Sequence, residues 1–356
     1  MAKGTYLGVN DIARKLKSAY LGVDGVARKL TKAYVGDESG IAKLAWSSNA
    51  DTLVMVDTIS LGKNERNVAY SHDGGNSWEF LSVGSEYAFL GVTYGNGLFL
   101  GVTQYGEVYT SVDGSAWTLK TPVSSLRHLM NGLFFYDGKF FIISVYGQIV
   151  YSKDGVEWTF ISDPAYGTEH IGLSMMGSYT RGNDFMFVTS RAHLFTINPQ
   201  STGIRDLFTK RTMATTELVS ADYRNKNDGI AIISGDYQIA HWSGSSLGQY
   251  QASIVKGKVL YNDLTDTFYA FHPTGVVRFE SDGFKYVSLV TFPSSLSWAL
   301  DYNRVGDEFI MIFTNGLVRT SNFTSFTVSD LRSEYGGTFI AGHRATLADS
   351  SDNGGK

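Results

Sequence analysis

Ser71-His72-Asp73-Gly74-Gly75-Asn76-Ser77-Trp78 is the first of three similar segments that decide the fold. The second runs from Ser111 to Trp117 (SVDGSAW) and the third from Ser152 to Trp158 (SKDGVEW). Each lies between runs of β-forming residues, so we interpret each as the corner of a β-hairpin. In such a corner the carboxylate accepts backbone N–H groups, glycine takes a positive φ and tryptophan covers the turn. We assign these structural roles to Ser71, Asp73, Gly75, Trp78, Ser111, Asp113, Gly114, Trp117, Ser152, Asp154, Gly155 and Trp158.

The spacing of the corners predicts a repeating architecture. The three tryptophans lie 39 and 41 residues apart, and two weaker copies at 281–286 and 320–326 have final aromatic residues 40 apart. The 128 residues from Trp158 to Tyr286 leave room for two further repeats that lack the motif. Repeats of about 40 to 50 residues with four short strands each are typical of propeller blades. The sequence therefore predicts an all-β, seven-bladed β-propeller.

The composition agrees with an all-β chain. The 356 residues are 43% hydrophobic and 14% aromatic, with 39 glycines and 5 prolines, which favours short strands joined by tight turns. No apolar run is long enough for a membrane span, and the first thirty residues lack the apolar segment of a secretory signal. We expect a soluble chain made in the cytoplasm. The absence of cysteine excludes disulfides and thiolate metal sites.

The first 46 residues contain a different, shorter repeat. TYLGVNDIARKLKS (5–18), AYLGVDGVARKLTK (19–32) and AYVGDESGIAKLAW (33–46) align with one another, with one insertion in the last copy. Asp24-Gly25 between two valines is a strong signal for a two-residue hairpin turn. Each copy is predicted to be strand, turn and strand. Because such hairpins bury little surface alone, we expect them to stack on each other or on a partner.

This N-terminal segment is basic, whereas the rest of the chain is acidic. Residues 1–46 carry eight Lys and Arg against four Asp and Glu, and the remainder carries 22 against 30. The basic side chains are compatible with nucleic acid or an acidic protein surface, and equally with the solvated face of a β-ribbon. We favour the solvated face, so nucleic acid is not an expected partner.

The N-terminal copies resemble a motif found in structural proteins of tailed phages and prophages of Gram-positive hosts, often in tail or baseplate components. The resemblance covers about 40 residues, of the type Tyr-x-Gly-Val-Asn/Asp-Gly-Val-Ala-Arg-Lys. It implies that residues 1–46 attach the chain to other virion proteins, in several copies per particle. It also implies a location in the virion, on the tail or another exposed appendage, after synthesis in the host bacterial cytoplasm.

The corners resemble the Asp-boxes, or bacterial neuraminidase (BNR) repeats, of sialidase-like propellers. Ser71 to Trp78 matches that pattern fully, and the two following corners are one residue shorter. The resemblance implies the fold, but these repeats lie away from catalytic centres and occur in many non-enzymatic proteins. A sialidase also needs an arginine cluster, a tyrosine activated by a carboxylate and a separate acid. The arginines here are scattered and the Phe/Tyr-Arg-Ile-Pro stretch is missing, so no catalytic residue is predicted.

Metal and cofactor sites are not predicted either. The seven histidines share no ligand spacing, although a calcium ion in a propeller channel stays an open alternative. Binding remains as the expected activity, because loops on a rigid scaffold commonly carry recognition. We expect long connections between strands in one part of the chain, for example at Pro199 to Arg211 and at His241 to Gln251. The candidate ligand-binding residues in this part are Tyr237, His241, Trp242 and Tyr250. These aromatic residues are suited to stacking on sugar rings and equally to packing between blades.

The predicted organisation has three parts. Residues 1–46 form a hairpin array that anchors the chain, 47–330 form the propeller, and 331–356 form a closing strand and a mobile tail. Within the last part, Thr338 to Ile340 is expected to join the chain ends, with the tail starting at Ala348. We expect a non-catalytic phage protein that binds host surface glycan or another virion protein. The alternatives are a virion glycosidase of the sialidase type and a purely structural collar, baseplate or head-decoration protein.

Overall fold

A computed structural model gives the architecture of the chain. It describes residues 52–57, 66–120, 130–144, 149–161, 258–262, 265–272, 275–280, 286–292, 296, 299–305, 308–313, 316–329 and 345–349, and the strands within 6–47 and 175–251. For the strands within 6–47 and 175–251 it describes the backbone, together with Ser220 and Asp222. Every regular element in these residues is a β-strand, so the chain is all-β as predicted.

Three two-stranded antiparallel sheets come first in the chain. They pair β1 (Tyr6–Val9) with β2 (Ile12–Lys15), β3 (Tyr20–Val23) with β4 (Val26–Lys29), and β5 (Lys32–Gly36) with β6 (Ala42–Ser47). The first two pairs each lie within one copy of the N-terminal repeat, and the third pair extends one residue beyond the last copy at either end.

The other described strands form seven four-stranded antiparallel sheets, which we call blades 1 to 7 in chain order. Blade 1 contains β7 (Leu53–Asp57), β8 (Val68–Ser71), β9 (Glu79–Leu81) and the last strand, β34 (Ala345–Asp349). Blades 2 and 3 contain β10 (Phe89–Gly95), β11 (Leu98–Thr103), β12 (Val108–Ser111), β13 (Thr118–Leu119), β14 (Met130–Tyr136), β15 (Lys139–Ser144), β16 (Ile149–Ser152) and β17 (Thr159–Ile161).

Blades 4 to 7 continue the same plan, with each strand paired to the next along the chain. Blades 4 and 5 contain β18 (Met175–Arg181), β19 (Asp184–Thr189), β20 (Leu194–Ile197), β21 (Ile204–Phe208), β22 (Leu218–Arg224), β23 (Gly229–Ser234), β24 (Gln238–Ser243) and β25 (Leu247–Gln251). Blades 6 and 7 contain β26 (Lys258–Asn262), β27 (Thr267–His272), β28 (Gly275–Glu280), β29 (Tyr286–Thr291), β30 (Ala299–Val305), β31 (Glu308–Phe313), β32 (Gly316–Thr320) and β33 (Thr327–Ser329).

The core lies between neighbouring blades. In β7, Leu53 and Met55 pack with Ile310 of blade 7, whereas the alternate residues Val54 and Val56 pack against blade 2. Because successive side chains of a strand point to opposite faces, a strand covered on both faces is apolar at consecutive positions instead of alternating ones. This explains the uninterrupted run Leu-Val-Met-Val in β7, all of it buried.

Blade 1 combines three strands from residues 53–81 with the last described strand of the chain, β34. The order in this sheet is β34, β7, β8, β9, and β34 also contacts β10 of blade 2 and β30 of blade 7. A strand from residues 345–349 and strands from residues 53–81 therefore form one sheet. The prediction that a C-terminal strand closes the ring against blade 1 is confirmed in this respect. The strand that closes is Ala345–Asp349, however, and the predicted segment 338–340 lies outside the described residues. Assignment of Ala348 to a mobile tail is wrong, because Ala348 pairs with Val54.

Tight turns connect the first two strands of blades 2 and 3. Asn96-Gly97 and Asp137-Gly138 occupy these turns, and all four residues have positive φ, between 47° and 78°. A type I′ turn requires this conformation at both central positions and matches the twist of the flanking strands. The two connections are therefore tight two-residue hairpin turns.

Candidate functional site

The predicted corners lie between the third and fourth strands of blades 1, 2 and 3. In the first corner Asp73 Oδ1 accepts the backbone N–H groups of Asn76 (3.0 Å) and Ser77 (2.9 Å). In the second, Asp113 Oδ1 accepts those of Ser115 (2.9 Å) and Ala116 (3.4 Å). Each carboxylate therefore fixes a turn by accepting hydrogen bonds from its own backbone, an arrangement common for Asp in turns.

Serine and glycine complete each corner. The Ser111 hydroxyl accepts the N–H of Gly114 at 2.8 Å, and Gly114 has a φ of +81°. The indole N–H of Trp117 donates to the Gly114 carbonyl at 2.8 Å, which closes the turn. In the third corner, by contrast, the indole nitrogen of Trp158 is buried and has no hydrogen-bond partner among the described residues.

A fourth corner in blade 7 keeps this geometry with different residues. Asn322 Oδ1 accepts the N–H groups of Thr324 (2.9 Å) and Ser325 (3.0 Å), and the Thr320 hydroxyl accepts the N–H of Phe323 (2.9 Å). Phe323 stands at the glycine position and has a φ of +56°. Its buried ring stacks on Tyr269 of blade 6 with 3.8 Å between ring centroids. A neutral amide can therefore replace the carboxylate.

Hydrogen bonding keeps the corner carboxylates ionised. Burial acts to raise the pKa of Asp113, but the hydrogen bonds from Ser115 and Ala116 and the nearby His72 outweigh it and lower the pKa below its usual 3.8. A group with a lowered pKa in the folded state stabilises the fold above the unfolded-state pKa and loses that effect as the pH falls. The contribution of Asp113 should be complete above about pH 4 and decline below it.

Asp113→Ala is expected to lower the free energy of unfolding by about 1 to 3 kcal/mol, because two backbone N–H groups of the turn lose their acceptor. Asp113→Asn is the matched control, and should keep most of the stability, since Asn322 makes the same bonds in blade 7. Urea unfolding at pH 7 measures both effects. Equal losses in the two variants would show that the charge, rather than the turn geometry, stabilises the corner.

The corners also hold neighbouring blades together. The His72 ring lies 2.8 Å from the carbonyl oxygen of Asp113 and joins the corners of blades 1 and 2. Asn96 Nδ2 of blade 2 donates to the carbonyls of Gly138 and Lys153 in blade 3. Structural roles in the turns and between the blades account for these residues.

The candidate ligand-binding aromatic residues lie in blade 5. His241 and Trp242 are consecutive residues of β24, and Tyr250 belongs to β25, while Tyr237 lies outside the described residues. The expected long connections contain regular strands, since Ile204–Phe208, His241 to Ser243 and Leu247–Gln251 all pair within sheets. Their part in ligand binding stays a prediction.

A polar cluster joins the first strands of blades 5, 6 and 7. Asp222 of β22 accepts the backbone N–H of Tyr261 in β26 at 2.6 Å and the phenol of Tyr302 in β30. Burial and the negative charge of Asp222 raise the pKa of Tyr302 well above its usual value. The phenol therefore keeps its proton at neutral pH and ties three blades together. Sequence patterns gave no signal for this cluster, because its members are about 40 residues apart in separate repeats.

Blade 2 carries a pair of exposed tyrosines, which we call the tyrosine platform. Tyr87 precedes β10 and is 38% exposed, and Tyr105 lies in the turn between β11 and β12 and is 58% exposed. Their ring centroids are 4.5 Å apart and the rings are tilted by 58°. Large aromatic residues exposed together on loops are typical of binding surfaces.

Hydrogen bonds hold both loops of the platform in place. The Ser85 hydroxyl accepts the Tyr87 N–H at 3.0 Å and donates to the carboxylate of Glu107 at 2.6 Å. The Gln104 N–H donates to the carbonyl of Ala88 at 2.9 Å, which links the two loops directly. A surface fixed in this way loses little conformational entropy when a ligand binds.

Metal and membrane features can be stated for the described residues. They contain no group of three or more His, Cys, Asp or Glu residues arranged to hold a metal ion. They also contain no helix long and apolar enough to cross a membrane.

No protein-family profile and no curated protein sequence matches the chain. Solved structures do resemble it. YCF48 bound to D1 peptide has 15% identity and a TM-score of 0.56 over 85% of this chain and 96% of that chain. Apo AztD from Citrobacter koseri has 9% identity and a TM-score of 0.57 over 83% and 97%. The WD40 β-propeller domain of Doa1 has 12% identity and a TM-score of 0.54 over 81% and 92%. Together with the observed blades, these similarities show that the chain adopts a β-propeller fold.

Proposed function

We propose that the chain is a non-catalytic binding protein of a tailed-phage virion. In this proposal residues 1–46 attach it to other virion proteins, and the propeller binds a host surface glycan through the tyrosine platform. The virion assignment is supported by the resemblance of the three N-terminal repeat copies to phage tail and baseplate motifs. The protein would be made in the host cytoplasm and carried, in several copies, on the tail or another exposed appendage.

The observation that carries the binding function is the tyrosine platform. Aromatic faces pair with the apolar faces of sugar rings, and a nearby carboxylate such as Glu107 can accept sugar hydroxyl groups. No Lys or Arg lies between Glu79 and Arg127, apart from Lys120, so the surroundings do not favour an anionic polymer. A neutral glycan therefore fits better than nucleic acid.

Tyr105→Ala in the full-length protein is expected to weaken binding to host cell-wall polysaccharide by about two- to tenfold, since loss of one stacking ring removes about 0.5 to 1.5 kcal/mol. The midpoint of thermal unfolding should not change, because Tyr105 is exposed. Leu119→Ala is the control, since Leu119 is similarly exposed but lies on the outer strand β13. Co-sedimentation with purified wall material measures the affinities. Unchanged binding by the Tyr105 variant would exclude the platform as the glycan site.

Association with the particle is tested separately. Antibody against the propeller should label purified particles at an appendage in electron micrographs. Labelling confined to the head or collar would favour the purely structural alternative, and absence of the protein from particles would overturn the virion assignment.

The glycosidase alternative requires a tyrosine that acts as a nucleophile. A tyrosine nucleophile works better when its pKa is lowered, because the phenolate is the reactive form. Tyr70 pairs with Glu79 and Tyr302 with Asp222, and these pairs raise the pKa of Tyr70 to about 12 and that of Tyr302 well above its usual value. Both phenols are therefore protonated at neutral pH, and each would need its carboxylate to accept the proton before it could attack. Release of reducing sugar from wall material by the purified protein would nevertheless establish that alternative.

A further inference from the structure

A small cavity lies between blades 6 and 7 and has an arginine in its wall. Its volume is about 60 Å³, and its lining residues are Tyr269, Val276, Arg278, Val290, Asn322, Phe323 and Thr324. The valines and Phe323 supply apolar surface, and the polar groups belong to Tyr269, Arg278 and the fourth corner. None of the lining residues is acidic, so the positive charge of Arg278 is not balanced within the cavity.

Arg278 has a structural counterpart in the next blade. Arg278 of β28 pairs with Tyr269 of β27, and Arg319 of β32 pairs with Ile310 of β31, so both arginines occupy the same place in their blades. Arg319 is fully engaged. It makes an ion pair with Glu308 and donates to Asn76 Oδ1 of blade 1.

Arg278 has no counterpart of Glu308, the ion-pair partner of Arg319. Glu308 lies two residues before Ile310, and the corresponding residue in blade 6, two before Tyr269, is Thr267. Arg278 is exposed, and it forms no hydrogen bond or ion pair with a described residue. Blade 6 thus keeps the arginine of this position but has threonine where blade 7 has the glutamate that pairs with it.

The other polar groups of the cavity also favour an anion. Asn322 Oδ1 is occupied by the N–H groups of its own corner, which leaves its amide NH₂ as a donor. Arginine binds a carboxylate through two parallel hydrogen bonds, and such charge-assisted pairs are the strong ones. A volume of about 60 Å³ suits a carboxylate with a short alkyl group better than a sugar ring.

We propose that this cavity binds the C-terminal carboxylate of a peptide whose last residue is small and apolar. The carboxylate pairs with Arg278, and the methyl or isopropyl group contacts Val276 and Val290. This site is independent of the tyrosine platform. It adjoins the corner between the third and fourth strands, whereas the platform lies at the turn between the second and third strands, at the opposite end of a blade.

The test compares a fluorescently labelled Ala-Ala-Ala tripeptide with its C-terminal amide, by anisotropy titration against the full-length protein. The free acid is expected to bind at least tenfold more tightly than the amide. Arg278→Gln, at an exposed position, and Thr267→Glu, which supplies the carboxylate present in blade 7, should each reduce acid binding to the level of the amide. Because Thr267 pairs with Glu280, Thr267→Glu places two carboxylates opposite each other, so thermal unfolding is measured to show that this variant is folded at the assay temperature.

Two control variants test whether the peptide binds at Arg278 and not at another arginine or at the tyrosine platform. Arg319→Gln should lower the thermal midpoint but leave peptide affinity unchanged, and Tyr105→Ala should also leave it unchanged. Equal binding of acid and amide, or full binding by Thr267→Glu, would overturn the proposal. Displacement of the peptide by inorganic phosphate as readily as by propionate would also overturn it, because the site would then recognise anions in general.

Discussion

Removal of residues 345–356 is expected to lower the free energy of unfolding by about 4 to 6 kcal/mol, at about 1 kcal/mol for each hydrogen bond lost from the ladder. The deletion removes β34, whose five residues pair with Leu53–Asp57. It also uncovers the buried strand β7, which then becomes an unpaired inner edge of blade 1. Chemical and thermal unfolding of the truncated protein measure the loss.

Truncation after Asp349 provides the control for that deletion. It removes residues 350–356 and leaves every pair between β34 and β7 in place, so the unfolding midpoint should match that of the full chain. If truncation before Ala345 also left the midpoint unchanged, β34 would not close the ring in solution.

Gly114→Ala is expected to cost about 2 to 4 kcal/mol, because it combines backbone strain with a clash between blades. Gly114 has a φ of +81°, and an added Cβ would lie 2.6 Å from Val54 Cγ2 and 3.1 Å from Tyr70 Cβ, both in blade 1. Neither atom can move away easily, since Val54 is fully buried and the Tyr70 Cβ is bonded directly to the backbone. Urea unfolding gives the difference from the wild type.

Comparison with Gly97→Ala separates the backbone strain at Gly114 from the clash between blades. Gly97 has a φ of +78°, close to that of Gly114, but no atom lies within 4 Å of the added Cβ. Gly97→Ala should therefore lower the free energy of unfolding only by the cost of backbone strain, about 1 to 2 kcal/mol. Equal losses at the two glycines would show that the corner does not press against the neighbouring blade.

The fold was readable from the sequence because its signals are local. A corner such as Ser111 to Trp117 makes its hydrogen bonds within seven residues, so its pattern survives in the sequence wherever the turn is kept. The spacing of these corners then gives the repeat length. Blades 4 and 5 have regular strands without the pattern, which is why long connections were wrongly expected there.

The closing strand was harder to identify. Ala345–Asp349 consists of small and polar residues with one leucine, and its strand conformation depends on pairing with β7, almost 300 residues earlier. No local pattern records such a partner. The neighbouring segment at 338–340 has stronger β propensity by itself, which is why the prediction of a closing strand fell there.

The candidate binding groups depend on exposure, which sequence does not encode directly. Tyr87 and Tyr105 are two of 21 tyrosines, and Tyr109, two strand positions from Glu107, is buried. Arg278 stands out only when strand register aligns it with Arg319 and reveals Thr267 in place of a carboxylate. Both proposed sites are therefore properties of the assembled blades.

The position of β7 determines how the propeller would carry mechanical load. The hairpin segment precedes β7 in the chain, so tension between an attached N-terminus and a ligand held on the propeller enters the domain at Leu53. There β7 is hydrogen-bonded on one side to β34 and on the other to β8. Pulling it out requires the hydrogen bonds of two ladders to break, whereas an edge strand would be released by breaking one. A protein that stays attached to a surface under drag gains resistance to rupture from this arrangement.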